Sequence, residues 1–273
     1  WGKNFTSDEV RQILATGRDL GINLIDTAEC YGDHLSESLI GQAIAGERDK
    51  WIIATKFGHR FTGHLKRSDD RTAADMREQL EASLKALKTD YIDLYQYHSI
   101  RDSEFDNEEL RDALEKEKKA GKIRHIGNSI SNGIDLVHQA SRSGWANVEA
   151  LQLVYNRLER KAEAVFDICQ QQKLGVLARV PLASGFLSGK YRRGATFQAG
   201  DVRAARTQEQ IDQQLAEVER IAKEEVPPGV DMAQWALGWC LRDPVVTAVI
   251  PGCKSPEQVK ANAAAAELVE TIE

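Results

Sequence analysis

Short apolar runs of strand length alternate along the chain with stretches whose apolar residues recur every three or four positions. That alternation predicts β-strands joined by amphipathic helices. The predicted strands are residues 22–26, 51–56, 92–98, 123–127, 148–154, 174–180 and 245–250. Helices are predicted at 8–20, 37–45, 72–87, 108–119, 133–142, 161–172, 208–225 and 231–241, with a closing helix from Glu257 onward. Local chemistry marks several ends: Ser7 reads as the N-cap of the first helix, Gly21 and Gly46 follow the first two, and Pro227-Pro228-Gly229 breaks the chain after the long one. Met76, Leu80, Leu84 and Leu87 form one stripe, whereas Glu115-Lys116-Glu117-Lys118-Lys119 reads as a solvated face. Residues 58–70 and 192–207 read as polar loops.

Strands separated by helices predict a parallel sheet with helical crossovers. The expected fold is α/β, a (β/α)8 TIM barrel whose first strand is missing from the given sequence, with Trp1-Gly2 marking its exit. An open doubly wound sheet is the alternative, but no G-x-G-x-x-G turn follows the first strand. No linker interrupts the pattern, so residues 1–273 read as one domain.

Composition narrows the function classes. A net charge of −6 gives no global pull toward nucleic acid or an anionic membrane, and 42% hydrophobic residues suffice for a large core. No apolar stretch approaches the roughly 20 residues of a membrane span, and the four cysteines form no C-x-x-C, as expected for reduced thiols in a cytoplasmic protein. The strand ends change the picture. Asp26, Lys56 and His98 each terminate an apolar run, and Ser129, Gln152 and the loop after Ile250 fall at the same ends. A buried Asp costs several kcal/mol unless paired, and Lys56 is the candidate partner. Barrel enzymes build their active sites at these carboxyl ends. His59 and His64 have no third ligand at metal-binding spacing, so no metal is expected and they are assigned to the substrate entrance.

The residues carry a family pattern. Asp26-Thr27-Ala28-Glu29-Cys30-Tyr31-Gly32 matches D-x-A-x-x-Y-G, Thr55-Lys56 and Tyr97-His98 match a strand-end lysine and histidine, and Ile126-Gly127-Asn128-Ser129, Gln152 and Ile250-Pro251-Gly252 follow in order. In these features the chain resembles an aldo-keto reductase over essentially its whole length. The family is also similar to potassium-channel beta subunits, which leaves a cofactor-sensing or regulatory barrel as the alternative function.

The resemblance implies reduction of a small aldehyde or ketone. No side chain stores hydride, so a nicotinamide cofactor is required. Tyr31 would be the general acid, its pKa lowered by Lys56; Asp26 would neutralise Lys56, and His98 would orient the carbonyl. By resemblance Ser129 and Gln152 would hold the carboxamide, and Arg179 would lie against the nicotinamide ring. Two departures from the pattern, Ile130 for a common Asn and Arg179 for an aromatic residue, imply altered cofactor affinity. The pyrophosphate is expected along Leu182, Ser184, Gly185, Leu187 and Gly189. Gly252, Lys254 and Ser255 at a helix start would take a 2′-phosphate, with Gln258 and Asn262 beside the adenine, which points to NADP(H) over NAD(H). Ser255 followed by Pro256 is also a good helix cap. Oligomeric state is left open.

Overall fold

The computed structural model describes residues 4–63 and 66–271. Helix α1 (Ser7–Asp19) opens on a capping box in which the Thr6 hydroxyl accepts the Glu9 N–H and the Glu9 carboxylate accepts the Thr6 N–H. The cap is therefore Thr6 rather than Ser7. Strand β1 (Leu24–Asp26), helix α2 (Leu35–Ala43) and strand β2 (Ile52–Phe57) follow. The stretch expected to be a loop at 58–70 forms an antiparallel hairpin, β3 (His59–Gly63) and β4 (Lys66–Asp69). Its cross-strand contacts include His59 with Asp69, a polar pair that apolar periodicity cannot reveal.

The chain continues through α3 (Ala73–Leu87), β5 (Ile92–His98), α4 (Asp102–Phe105), α5 (Glu108–Lys119), β6 (Ile123–Ser129), α6 (Leu136–Ser141) and β7 (Val148–Val154). Then come α7 (Phe166–Gln172), β8 (Gly175–Arg179), α8 (Gln208–Glu224), α9 (Met232–Leu241), β9 (Ala248–Val249) and α10 (Pro256–Ala263). Several expected elements are shorter than predicted, β1 by its first two residues and β8 by one at each end. α6 starts only after Asp135, whose side chain caps the His138 N–H; a 3-10 turn, Lys161–Val165, precedes α7; and β9 is cut to the two residues that pair with Leu177 and Ala178.

Seven strands pair in the order β1-β2-β5-β6-β7-β8-β9, every pairing parallel. In a flat sheet β1 and β7 would lie about 19 Å apart, at roughly 4.8 Å per strand. Instead the Gln152 amide of β7 donates to the Asp26 carboxylate of β1 at 2.7 Å. The sheet is thus curled on itself, as in a (β/α)8 barrel. The expected exit of a preceding strand, Trp1-Gly2, lies outside the described residues.

Side-chain parity sorts the strands into two faces. Ile53, Tyr95, Ile126, Leu151 and Val176 join the large core shared with the helices. Ala54, Leu94 and Leu177 form a separate cluster with Leu24, Ala150 and Ala248. This second cluster is the barrel interior. Two residues further along each strand, on the same face, stand Asp26, Lys56, Gln96, Gln152 and Arg179. The interior is apolar and small at one level and polar at the next, toward the carboxyl ends.

Helix α2 rests directly on the end of α3: a Cβ at Gly41 would stand 2.5 Å from the Leu87 carbonyl oxygen and 2.6 Å from its carbon. Alanine gains about 1 kcal/mol of helix propensity there, but the clash is with backbone and cannot rotate away. Gly41→Ala is therefore expected to lower the unfolding free energy by about 1–3 kcal/mol. An unchanged or higher midpoint in urea unfolding would show that α2 can back off α3.

Candidate active site

Lys56 is the most deeply buried cation of the polar layer, 1% exposed at the end of β2. Its Nζ donates to the Asp26 carboxylate and to the Thr27 carbonyl, both at 2.7 Å. Asp26 also accepts from the amides of Gln96 (3.2 Å) and Gln152 (2.7 Å), so one carboxylate receives donors from β2, β5 and β7. Burial works against the Lys56 ammonium, but Asp26 and Tyr31 outweigh it and hold its pKa above the ordinary lysine value.

Tyr31 sits in the turn after β1, which is fixed by the Tyr31 N–H to Ala28 carbonyl bond (3.1 Å) and by Thr27 Oγ1 to Ser36 Oγ (2.8 Å). Lys56 Nζ stands 5.5 Å from the centre of its ring, and the His98 ring meets it edge-on at 6.5 Å. The four expected side chains therefore do converge. One expectation fails: Lys56 pulls the Tyr31 pKa down, but burial and the Asp26 carboxylate push it up further, and the phenol ends above its ordinary value. Burial, then Lys56 and His59, hold the His98 pKa well below the usual imidazole value, so His98 is neutral at neutral pH.

His59 does not line an entrance. It is 3% exposed on β3, with its ring 4.5 Å from that of His98 and its Nδ1 2.7 Å from Asp69. His64 lies outside the described residues. The His59 N–H donates to Glu29 Oε1 at 3.1 Å, and burial pushes the Glu29 carboxyl up to about 8. Glu29 and Gln96 carried no role in the sequence reading. Gln96 was detectable as the one polar, uncharged residue on the face of the strand that Ile92, Leu94 and His98 share; Glu29 gave no signal beyond its place in the motif.

The residues expected to hold a cofactor fall into two groups along the same rim. In the first, Ser129 Oγ donates to Gln152 Oε1 at 3.2 Å, and Arg179 donates to the Ile130 carbonyl (3.0 Å) and Ser131 Oγ (3.1 Å). Arg179 Nε is buried and has no partner among the described residues. Beyond β8 the backbone turns left-handed at Val180, Ala183, Ser184 and Gly185, with φ of 54°, 49°, 58° and 90°. For a β-branched Val this is a true outlier, and such strain gathers at ligand sites. The N–H groups of Gly185 and Leu187 both close onto the Leu182 carbonyl within this turn, so the expected row of free amides is partly spent; Gly189 ends the turn, again left-handed.

In the second group, Ser255 caps α10 by accepting the Gln258 N–H, and Gln258 Oε1 accepts the Lys254 N–H at 2.7 Å. Asn262 donates to Cys253 Sγ, and Gly252 is open to solvent on the side a Cβ would occupy. The stretch after Arg192, read as a polar loop, folds over the turn: the Arg203 guanidinium covers the rings of Phe197 (4.1 Å) and Tyr191 (4.7 Å) and pairs with Asp201.

A model of the aldo/keto reductase family matches residues 1–273. The chain is 33% identical over 272 residues to the aldo-keto reductase YhdN of Bacillus subtilis (strain 168), covering 96% of this chain and 79% of that one. It is 30% identical over 288 residues to a putative voltage-gated potassium channel subunit beta of Schizosaccharomyces pombe, covering 99% and 82%. The solved holo form of aldo-keto reductase AKR11C1 from Bacillus halodurans superposes with a TM-score of 0.81 at 31% identity, over 97% of this chain and 83% of that one. The chain belongs to the aldo/keto reductase family.

It is thus an oxidoreductase of a family that works with nicotinamide cofactors on small carbonyl substrates. Among the described residues, no helix of this aldo/keto reductase is long and apolar enough to cross a membrane. Its polar layer stands or falls on one carboxylate. Asp26→Asn leaves Lys56 charged and buried without its anion, and the expected cost is about 3–5 kcal/mol of stability. Urea unfolding reads it directly; a loss under about 1 kcal/mol would mean that the Thr27 carbonyl and neighbouring amides suffice for the ammonium.

Proposed function

We propose that this aldo/keto reductase reduces an aldehyde or ketone to the alcohol with NADPH, using Tyr31 as general acid. The observation that carries the reading is the convergence of Tyr31, His98 and the Asp26–Lys56 pair at the carboxyl ends of parallel strands. The residues present fit a dinucleotide: the buried Nε of Arg179 has no partner among the described residues, the turn at 180–185 is strained where a ligand backbone would pass, and α10 presents its N-terminus beside Lys254. When bound, the cofactor supplies the hydride. Ser129, Gln152 and Arg179 would hold its nicotinamide end, the turn at Leu182, Ser184, Gly185, Leu187 and Gly189 its pyrophosphate, and Gly252, Lys254 and Ser255 its 2′-phosphate, with Gln258 and Asn262 near the adenine.

The chain's own residues account for the rest of the chemistry. His98, neutral, donates a hydrogen bond to the carbonyl oxygen and fixes its direction. Tyr31 gives its proton to that oxygen as negative charge develops there. Lys56 stabilises the phenolate left behind, and Asp26 keeps Lys56 in place without neutralising it by proton transfer. A Tyr31 pKa above the ordinary value keeps the acid loaded throughout the neutral range.

The likeness to a channel beta subunit supports a second reading, a nucleotide-bound barrel serving a partner protein. Turnover decides between them: wild type should reduce a panel of small aldehydes with NADPH, and Tyr31→Phe should lose about 10²–10⁴-fold in kcat while still binding the nucleotide. Binding without turnover in wild type would favour the partner role.

Two further outcomes test the assignment. With His98 titrating well below 6.5 and Tyr31 above 10, kcat for reduction should be flat from about pH 6.5 to 9 and fall only on the alkaline side, as the acid loses its proton. A decline centred near neutrality would assign the proton to another group. Lys254→Ala should weaken NADPH binding by about 10–100-fold, the worth of a charged hydrogen bond, and leave NADH nearly unchanged. Equal losses for both would remove the 2′-phosphate from Lys254.

A further inference from the structure

Glu29, Cys30 and His98 come together in a way that carbonyl reduction does not use. Cys30 Sγ approaches His98 Nδ1 at 4.0 Å, and Glu29 Oε1 approaches the same nitrogen at 4.0 Å. One ligand atom from each residue lies within 4.8 Å of the others. We propose that these three side chains form a binding site for one divalent transition-metal ion of the zinc class, seated on the Nδ1 side of the His98 imidazole.

Geometry and donor chemistry support this. A tetrahedral zinc ion with a sulfur ligand at about 2.3 Å and nitrogen or oxygen ligands at about 2.0–2.2 Å sets its ligand atoms about 3.3–3.6 Å apart. The two separations to His98 Nδ1 need to close by about 0.4–0.7 Å and the third by at most about 1.5 Å, a range that side-chain rotation can supply. One sulfur, one imidazole nitrogen and one carboxylate oxygen suit zinc or cobalt and are a poor set for magnesium or calcium, which take oxygen ligands. Three protein ligands leave a fourth position open.

A second observation points to a missing cation. Glu29 is 2% exposed, and its Oε2 meets no donor among the described residues. A buried carboxylate oxygen left unmatched is costly, and a metal ion would match it. Lys56 is engaged on Asp26 and Arg179 on Ile130 and Ser131, whereas Arg67 on β4 is exposed and reaches Cys30 and His98 only through its charge. Carboxylate, thiolate and neutral imidazole together carry two negative charges, which balance the ion. As the metal binds, the Cys30 thiol and the Glu29 carboxyl each give up a proton to solvent. The His59 N–H on Glu29 Oε1 provides the kind of outer hydrogen bond that orients a carboxylate ligand.

The test is direct binding, independent of any turnover. Metal-free, reduced full chain is titrated with Co2+, and the expected result is one ion per chain with a sulfur-to-cobalt charge-transfer band that Zn2+ abolishes. Cys30→Ser should remove the band, Glu29→Gln should weaken binding at least about 10-fold as a charged ligand is lost, and His125→Asn, on the exposed His125–Glu149 pair, should leave it unchanged. Should Cys30→Ser lose its circular-dichroism signature, alkylation of wild type replaces it: one equivalent of Zn2+ is expected to slow labelling of Cys30, read by mass spectrometry, and not that of Cys253. No charge-transfer band in wild type, a full band in folded Cys30→Ser, or Cys30 labelling indifferent to Zn2+ would each overturn the site.

Discussion

A lysine ammonium cannot sit inside a barrel without an anion beside it, and this constraint organises the molecule. The desolvation of both ions at the Lys56–Asp26 pair amounts to several kcal/mol each before compensation. Compensation comes from more than the pair itself: Asp26 also accepts the amides of Gln96 and Gln152, and Lys56 also reaches the Thr27 carbonyl. Donors from three strands converge on one carboxylate, which can happen only if the sheet is rolled. The ion pair and the curl of the sheet depend on each other.

The interior beneath that layer is made of small and branched apolar residues, Ala54, Ala150, Ala248 with Leu24, Leu94 and Leu177. Ala54, Leu94 and Leu177 of this cluster are buried from water. The polar layer above it is consequently held in a medium where charges act strongly, and this is what separates the titration of neighbouring groups: Lys56 stays charged, His98 stays neutral and Glu29 is pushed up to about 8 by burial. Tyr31 shows the competition most clearly. The ammonium beside it lowers its pKa, yet burial and the Asp26 charge prevail. Lys56 therefore serves the tyrosine better as a partner for the phenolate once formed than as a device for forming it in advance.

The rim is built from irregular backbone. Left-handed residues at Val180, Ala183 and Ser184 bend the chain directly after β8, and the Arg203–Phe197–Tyr191 stack holds the following segment against that bend. The hairpin β3–β4 delivers His59 against the His98 ring. Both features come from segments rich in polar residues, in which nothing repeats with the period of a helix or strand.

What the sequence determined by itself was the alternation of strands and helices, the parallel sheet, and the identity of the ionisable residues at strand ends. These follow from local rules: burial periodicity selects each element, and an Asp, Lys or His ending an apolar run is too costly to be accidental. The strand 92–98 and the helix 108–119 were legible to the residue from their patterns, and in the structure Asn107 caps the helix. The polar hairpin, the 3-10 turn before α7 and the order in the 192–207 segment were not, since their stabilising contacts are cross-strand pairs and cation–ring stacks between residues that no periodicity links. Only the tertiary structure decided that Gln96 joins Asp26, that Glu29 and Cys30 meet His98, and that Tyr31 titrates high. Each depends on distances across the barrel and on how completely water is excluded, and these quantities are set when the sheet curls.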